Sequence, residues 1–159
     1  MAKMLICYHS RTQHTQHMAE TVAEAARGIK GISVDLRPVA QVAAKDLPGY
    51  DAIVLGSPTY YGTMAAELKK LLDESVAFHG QLNGKVGGAF ASSALLGGGT
   101  ETTVTDILHA MLVHGMIVQG NSSGAHYGAV AVGEPDTRAK EDCGDLGRRV
   151  ARLAVKLHG

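Results

Sequence analysis

Hydrophobic and polar residues alternate along the chain in blocks that predict strands and helices in turn. Five short segments have the apolar or alternating pattern of buried strands, and they lie at residues 3–8, 33–37, 52–55, 86–92 and 116–118. The segment 119–134 is rich in Gly and Ser and predicts a loop with at most one short strand, at residues 129–132.

Apolar residues at helical spacing follow most of these strands and predict helices. The first helix starts at Thr15 and ends at Gly28 or Gly31, and the last runs roughly from Thr137 to Leu157. The positions predicted to face inward on the later helices are Met64, Leu68, Leu71, Leu72, Val104, Ile107, Leu108, Met111, Leu112, Leu146, Val150, Leu153, Ala154 and Leu157. Residues 39–46 favour no more than a weak, short helix.

Five strand–helix units in succession, with no linker or repeat, favour a parallel sheet covered by helices on both faces. The doubly wound, flavodoxin-like strand order 2-1-3-4-5 is the natural arrangement at this length. We therefore predict an α/β fold in which residues 1–159 form a single domain.

Composition narrows the classes of partner. Lys plus Arg number 15 and Asp plus Glu number 15, and this zero net charge provides no electrostatic footprint for nucleic acid or an anionic membrane. No apolar run approaches about 18 residues, so no membrane insertion is expected. The N-terminal residues lack a signal-peptide pattern, which predicts a cytoplasmic protein. Cys7 and Cys143 have neither metal-binding nor redox spacing and are interpreted as reduced thiols.

Three polar loops leave the carboxyl ends of the first, third and fourth predicted strands, which are neighbours in that strand order. The first loop, Ser10 to Thr15, has three hydroxyl groups and opens a helix, so it predicts an anion site, most simply for a phosphomonoester. Ordinary helix capping by Ser or Thr is the alternative interpretation. Neither a Walker loop nor G-x-G-x-x-G is present, which favours a mononucleotide over ATP or a tightly bound NAD.

The other two loops suit a flat ring system. Tyr60 and Tyr61 stand beside Gly62 in the second loop, and the third loop, at residues 93–99, is rich in glycine. Aromatic faces and a backbone that can approach closely are suited to a planar heterocycle. A phosphate at one end and a ring at the other describe FMN.

The chain resembles the flavodoxin-like proteins, and most closely the WrbA-type NAD(P)H:quinone oxidoreductases. The resemblance covers nearly the whole chain and rests on Tyr8-His9-Ser10 with His14, Gly56-Ser57-Pro58-Thr59 with Gly62, Gly84-Lys85, Ser92-Ser93, Gly97-Gly98-Gly99 with Glu101, His114-Gly115-Met116 and Tyr127-Gly128-Ala129. The chain departs from the family pattern at Gln13, where glycine is usual, and at Tyr60-Tyr61, where an Arg-Phe pair is usual. It also lacks the family's Trp and is shorter than typical members.

The resemblance implies non-covalent FMN, with NAD(P)H as co-substrate. The implied phosphate contacts are Ser10, Arg11, Thr12, Gln13, His14 and Thr15. The implied contacts to the rest of the cofactor are Pro58, Thr59, Tyr60, Tyr61, Gly62, Thr63, Ser93, Ala94, Leu95, Leu96, Gly97 and Gly98. The family also implies a homo-oligomer, a dimer or a tetramer, with flavin pockets at subunit contacts.

The histidines have simpler interpretations beside functional ones. His114 matches a family histidine close to the flavin, which implies a catalytic role toward the second substrate, and it is equally suited to cap a helix C-terminus. His9, His14 and His17 straddle a loop and a helix start, so no metal site is predicted.

Three functions remain open on the sequence. The leading hypothesis is an FMN-dependent oxidoreductase that transfers two electrons from NAD(P)H to a quinone or another small-molecule electron acceptor by a ping-pong mechanism. The alternative is a flavodoxin-type carrier of single electrons between protein partners. The neutral charge balance and the missing Trp count against it, whereas the compact length of the chain favours it. The third is an FMN-binding or partner-binding protein without turnover.

Overall fold

A seven-stranded sheet lies at the centre of the computed structural model, which describes all 159 residues. The strands are β1 (Ala2–Tyr8), β2 (Ile32–Pro38), β3 (Ala52–Tyr60), β4 (Thr63–Met64), β5 (Val86–Ser93), β6 (Ile117–Val118) and β7 (Ala129–Val132). The α-helices are α1 (His14–Arg27), α2 (Ala66–Glu74), α3 (Thr100–Val113) and α4 (Thr137–His158). Short 3₁₀ helices occupy Val39–Gln41, Ala44–Gly49 and Ser75–Phe78.

The parallel strands follow the order β2-β1-β3-β5-β6. This is the predicted flavodoxin-like order, which is confirmed. The register brings Tyr8 opposite Gly56 and Pro58 opposite Ser92, so β1, β3 and β5 end side by side at one edge of the sheet.

The structure adds one unexpected strand, β4, to the five expected, and the short strand considered at residues 129–132 is present as β7. β4 turns back on β3 in an antiparallel pair, so residues 59–63 are a hairpin and not an open loop. The fifth position of the sheet is shared, because β6 pairs with Val86 and Gly87 while β7 pairs with residues 90–93 of the same neighbour. Residues 119–128 leave the sheet between them, and their polar and glycine-rich composition explains why they do not continue a strand.

Two apolar layers cover the sheet. One contains Met18 and Val22 of α1 with Leu146 and Val150 of α4, and together with the inner sheet residues it forms a cluster of 21 buried side chains. The other lies under α2 and α3 and contains 19 buried side chains. Burial on both faces explains why the central strands are apolar runs.

One residue predicted to face inward does so from a different element, and two others are exposed. Met64 is buried, but it belongs to β4, because the hairpin delays the start of α2 to Ala66. Leu112 is 58% exposed, since it lies about 100° round the helix from buried Met111, beyond the apolar stripe. Leu157 is 46% exposed in the last turn of α4. No helix is long and apolar enough to cross a membrane.

Close contact between α1 and α4 generates a stability prediction. A Cβ at Gly147 would collide with the backbone carbonyl oxygen of Val22, which cannot move aside as a flexible side chain can. We expect Gly147→Ala to lower the free energy of unfolding by about 1–3 kcal/mol, measured by urea denaturation. Gly144→Ala in the same helix is the control, because there the nearest atom, at 3.2 Å, is the mobile end of Arg148. Equal stabilities of the two variants would contradict the prediction.

Candidate functional site

The three predicted loops lie next to one another at the carboxyl edge of the sheet. Each follows one of three adjacent strands, β1, β3 and β5. The structure thereby brings together every residue predicted to contact the cofactor: Ser10, Arg11, Thr12, Gln13, His14, Thr15, Pro58, Thr59, Tyr60, Tyr61, Gly62, Thr63, Ser93, Ala94, Leu95, Leu96, Gly97 and Gly98.

The first loop presents a row of free amide groups. The N–H groups of residues 11–15 donate to no acceptor within the chain, and the next one, of Gln16, has only a long contact of 3.4 Å to Ser10 Oγ. The residue before α1, Gln13, makes no side-chain capping bond. Free N–H groups at the positive end of a helix dipole favour a phosphate, so this loop fits the phosphate of FMN.

Gln13 has a left-handed backbone with φ 71°. This conformation is strained for a residue with a side chain and natural for glycine. Glycine, the usual family residue, suits this conformation, and the loop keeps the glycine-like shape although Gln13 carries a side chain. The helix N-terminus is therefore formed despite the substitution.

The side chain of Thr15 points away from that loop. Thr15 is buried, and its Oγ1 lies 2.9 Å from Oγ of Ser92 at the end of β5. Its hydroxyl therefore joins the first loop to the third, which leaves its N–H as the group available to an anion.

The second loop is a tight hairpin turn. Tyr61 has φ 50° and Gly62 has φ 81°, the two positive values of a type I′ turn between β3 and β4. The turn separates the two tyrosines, because Tyr60 is half-buried on β3 whereas Tyr61 is fully exposed at the tip. An aromatic ring held out in water offers a face to a planar ligand.

Threonine hydroxyls at the start of α3 fasten this hairpin to the third loop. Thr102 Oγ1 donates to the Gly62 carbonyl at 2.6 Å, and Thr103 Oγ1 contacts Thr59 Oγ1 at 3.0 Å. Gly99 packs closely against the same hairpin, because a Cβ at this position would lie only 3.0 Å from Gly62 Cα. These contacts join the second and third loops into one continuous surface, the wall of the site.

Sequence reasoning missed Thr102, Thr103 and also Ser57 as positioning residues. Ser57 is fully buried, and its Oγ accepts the Ala65 N–H at 2.8 Å and donates to the Pro58 carbonyl at 2.8 Å. Four threonines within the first six residues of α3 were an available signal, because threonine is a weak helix former. Nothing in the spacing of Ser57 distinguishes it from a strand residue.

The third loop carries exposed leucines over a bonded turn. Leu95 is 71% exposed and Leu96 is 93% exposed. The Leu95 carbonyl accepts both the Gly98 N–H at 3.0 Å and the Ser93 hydroxyl at 2.8 Å. The turn therefore holds apolar side chains in solvent beside the hairpin.

The histidines near the first loop are paired with carboxylates. Glu134, just after β7, contacts His17 Nδ1 at 2.7 Å and His14 Nε2 at 3.7 Å. On the other side, His9 Nε2 lies 3.6 Å from a carboxylate oxygen of Glu67. Of these contacts only that of His17 with Glu134 is a hydrogen bond, and His9 Nε2 is buried without a hydrogen-bond partner.

His114 lies apart from the rest of the predicted site. It caps the C-terminus of α3, whose 14 residues carry the chain about 20 Å away from the third loop. The structure thus supports the capping interpretation and does not bring His114 together with the predicted cofactor contacts.

The environment of His114 favours the neutral imidazole. Ser75 Oγ donates its one hydrogen to the Leu72 carbonyl at 2.6 Å, so His114 Nε2, 2.7 Å from that Oγ, must be the donor of their bond. Its Nδ1 is buried without a partner. Burial, followed by the charge of His79, lowers the pKa of His114 below its ordinary value of 6.5.

Comparison with known proteins agrees with this geometry. Residues 33–129 match the family model described as NADPH-dependent FMN reductase. A flavodoxin from Aquifex aeolicus is 38% identical over 168 residues, covering all of this chain and 91% of the relative. An NAD(P)H dehydrogenase (quinone) from Chromohalobacter salexigens is 35% identical over 201 residues, covering the whole of both chains. The crystal structure of a WrbA-like flavodoxin from Agrobacterium tumefaciens has a TM-score of 0.82 at 29% identity and 99% coverage of each chain.

The strained residue of the first loop yields a prediction. Gln13→Gly should be more stable than Gln13→Ala by about 1 kcal/mol, because only glycine adopts the left-handed conformation without steric strain. Urea denaturation of the two variants measures this difference, and alanine serves as the matched control that removes the side chain but keeps the strain. A glycine variant no more stable than the alanine variant would show that Gln13 is unstrained.

His114 predicts a pH dependence of stability. Since its pKa is lowered in the folded chain, the unfolded chain binds the proton more readily at acidic pH. The contribution of His114 is therefore fully present above about pH 6.5 and is lost as the pH falls toward the lowered value. We expect the stability difference between the wild type and His114→Gln to shrink between about pH 8 and pH 5. His109→Gln, at an exposed histidine, is the control, and a pH-independent difference for His114→Gln would contradict the prediction.

Proposed function

The chain belongs to the NADPH-dependent FMN reductase family, and from this premise we propose that it is an FMN-dependent oxidoreductase that transfers two electrons from NAD(P)H to a quinone. It is an NAD(P)H:quinone oxidoreductase-like flavoprotein with non-covalent FMN and NAD(P)H as substrate. The quinone acceptor and the ping-pong order are our proposal. The observation that carries it is the row of free N–H groups at residues 11–15, next to the wall formed by the second and third loops.

The first loop would hold the phosphate end of the cofactor. Its free N–H groups can each donate to a phosphate oxygen, and the hydroxyls of Ser10 and Thr12 add side-chain donors. Arg11 is exposed and adds a positive charge to the same loop. The helix N-terminus and the loop together would offset the negative charge of the phosphate.

The wall of the second and third loops would hold the ring. When bound, FMN supplies the chemistry, since it accepts a hydride from a reduced nicotinamide and returns the electrons to an acceptor. The chain contributes position, because the bonds of Thr102 and Thr103 keep the hairpin against the third loop. Exposed Tyr61, Leu95 and Leu96 would offer apolar contact to the nicotinamide and, after it leaves, to the quinone. One surface used by both substrates in turn would account for the proposed ping-pong order.

A catalytic role for His114 depends on assembly. Its distance from the loops within one chain means that it could act only at the site of a second copy, in a homo-oligomer. In that place its Nε2–H could donate to a quinone oxygen after leaving Ser75. We keep this role as a proposal that rests on the predicted dimer or tetramer.

Flavodoxin-type electron transfer is the second candidate. It is favoured by the 38% identity to a protein named flavodoxin over 91% of that protein's length. It differs from the first candidate in one measurable respect, because a carrier of this type does not oxidise NAD(P)H.

A direct test joins FMN binding to turnover. FMN-loaded protein is mixed anaerobically with NADH or NADPH and then with benzoquinone, and nucleotide oxidation is followed by absorbance. We expect rapid oxidation of one nucleotide and parallel double-reciprocal plots. Bound FMN without nucleotide oxidation would favour the flavodoxin-type candidate, and failure to bind FMN would overturn both.

The phosphate contact is tested by Thr12→Val, which keeps the shape of an exposed side chain and removes its hydroxyl. Loss of one hydrogen bond to a charged group weakens binding by about 1.5–3 kcal/mol, so the Kd for FMN should rise roughly tenfold to a hundredfold. Fluorescence quenching of FMN measures the Kd. Ser123→Ala, at an exposed serine outside the loops, is the control and should leave it unchanged.

A further inference from the structure

A groove of about 410 Å³ lies beside the C-terminal half of α4, at the edge of the sheet formed by β6. Its wall is made by four cations of α4, Arg148, Arg149, Arg152 and Lys156, with Asp145 as the one carboxylate and Leu153 as the one hydrophobic residue. Gln119, which follows β6 directly, closes the other side. The groove therefore carries three net positive charges on a chain whose formal net charge is zero.

Most of these cations have no counterion. Arg148 is paired, with an Nη2–Oδ1 distance of 2.5 Å to Asp145. Arg149, Arg152 and Lys156 have no carboxylate oxygen within 4.0 Å, the distance that defines an ion pair. Three unpaired cations in one concave surface repel one another and attract an anion.

Arg149 is held in the groove and is partly removed from water. Its Nε donates to the Gln119 carbonyl at 3.3 Å, which fixes the side chain across the gap between α4 and β6. Burial lowers the pKa of Arg149, while Asp145 acts in the opposite direction. A partly desolvated guanidinium without a carboxylate partner is an unfavourable arrangement that a bound anion would relieve.

Simple explanations do not account for the cluster. Cations in the last turn of a helix complement its dipole, which explains Lys156, but Arg148 and Arg149 stand in the middle of a helix that continues to His158. The apolar face of α4 is buried in the core, so the helix has no free apolar face with which to enter a membrane surface.

We propose that this groove binds a small polyanion that carries at least two phosphate groups. Guanidinium forks bind phosphate oxygens in pairs, and lysine adds a point charge. From Arg149 to Lys156 the helix rises by about 10 Å, which is further than one phosphate group can span. The volume is within the range of small-molecule sites.

The groove is separate from the proposed cofactor site. β6 pairs with Val86 and Gly87, the first residues of β5, whereas the three loops follow the last residues of their strands. No aromatic side chain lines the groove, so nothing there would stack on a flavin, a nicotinamide or a base. Binding of a polyanion in this groove is therefore a function additional to the one proposed above.

Calorimetric titration with inorganic pyrophosphate tests the proposal. The protein is kept with excess FMN, so that the first loop is occupied, and the ionic strength is held constant. We expect one pyrophosphate per chain, and affinity at least tenfold higher than for orthophosphate. The double variant Arg149→Gln/Arg152→Gln should lose at least tenfold in affinity while its melting temperature stays close to that of the wild type.

Arg138→Gln is the matched control, because Arg138 is an 86% exposed arginine of the same helix outside the groove. Equal losses in Arg138→Gln and in the double variant would overturn the proposal in favour of general attraction to surface charge. Citrate that binds as tightly as pyrophosphate would overturn the phosphate assignment. Pyrophosphate that binds only when FMN is left out would assign the binding to the first loop and also overturn it.

Discussion

Burial of the central strands on both faces is the constraint on which the rest of the structure depends. With helices packed above and below, β1, β3 and β5 have no room for polar side chains along most of their length. Polar groups are therefore concentrated where the strands end. Because parallel strands all end at one edge, three loops that are distant in sequence become neighbours. The strand order determines which residues lie at the site, and local hydrogen bonds determine the geometry of its loops.

Much of this fold could be predicted from the sequence because the apolar residues recur at regular spacing. Apolar runs and helical spacing identify the elements, and the alternation of strands with helices identifies the strand order, which the structure confirms. Predictions of detail were wrong where the backbone geometry departs from what the apolar spacing indicates. Nothing in the apolar spacing says that Tyr61 and Gly62 form a tight turn, or that Met64 consequently belongs to a strand. His114 shows the same limit. A sequence motif can identify His114, but it does not show whether His114 lies beside the cofactor loops of the same chain.

The candidate site combines strain with firm support. Gln13 and Tyr61 are the two residues other than glycine with positive φ, and they stand in the first and second loops. Such conformations persist only where surrounding bonds over-determine them. The threonine contacts of α3 and the buried hydroxyl of Ser57 provide that support around the hairpin. The loops can therefore present free N–H groups and exposed rings without collapsing onto one another.

The divided fifth position of the sheet has a consequence for the tolerance of the fold to length changes. β6 and β7 are each hydrogen-bonded to their own part of β5, so neither depends on the segment 119–128 for its register. A longer or shorter connection there would leave every strand pairing intact, and its own ends would stay anchored. The exposed tip of this segment, at Ser122 and Ser123, is thus a natural place to graft a peptide epitope or a fluorescent reporter, or to open the chain for circular permutation.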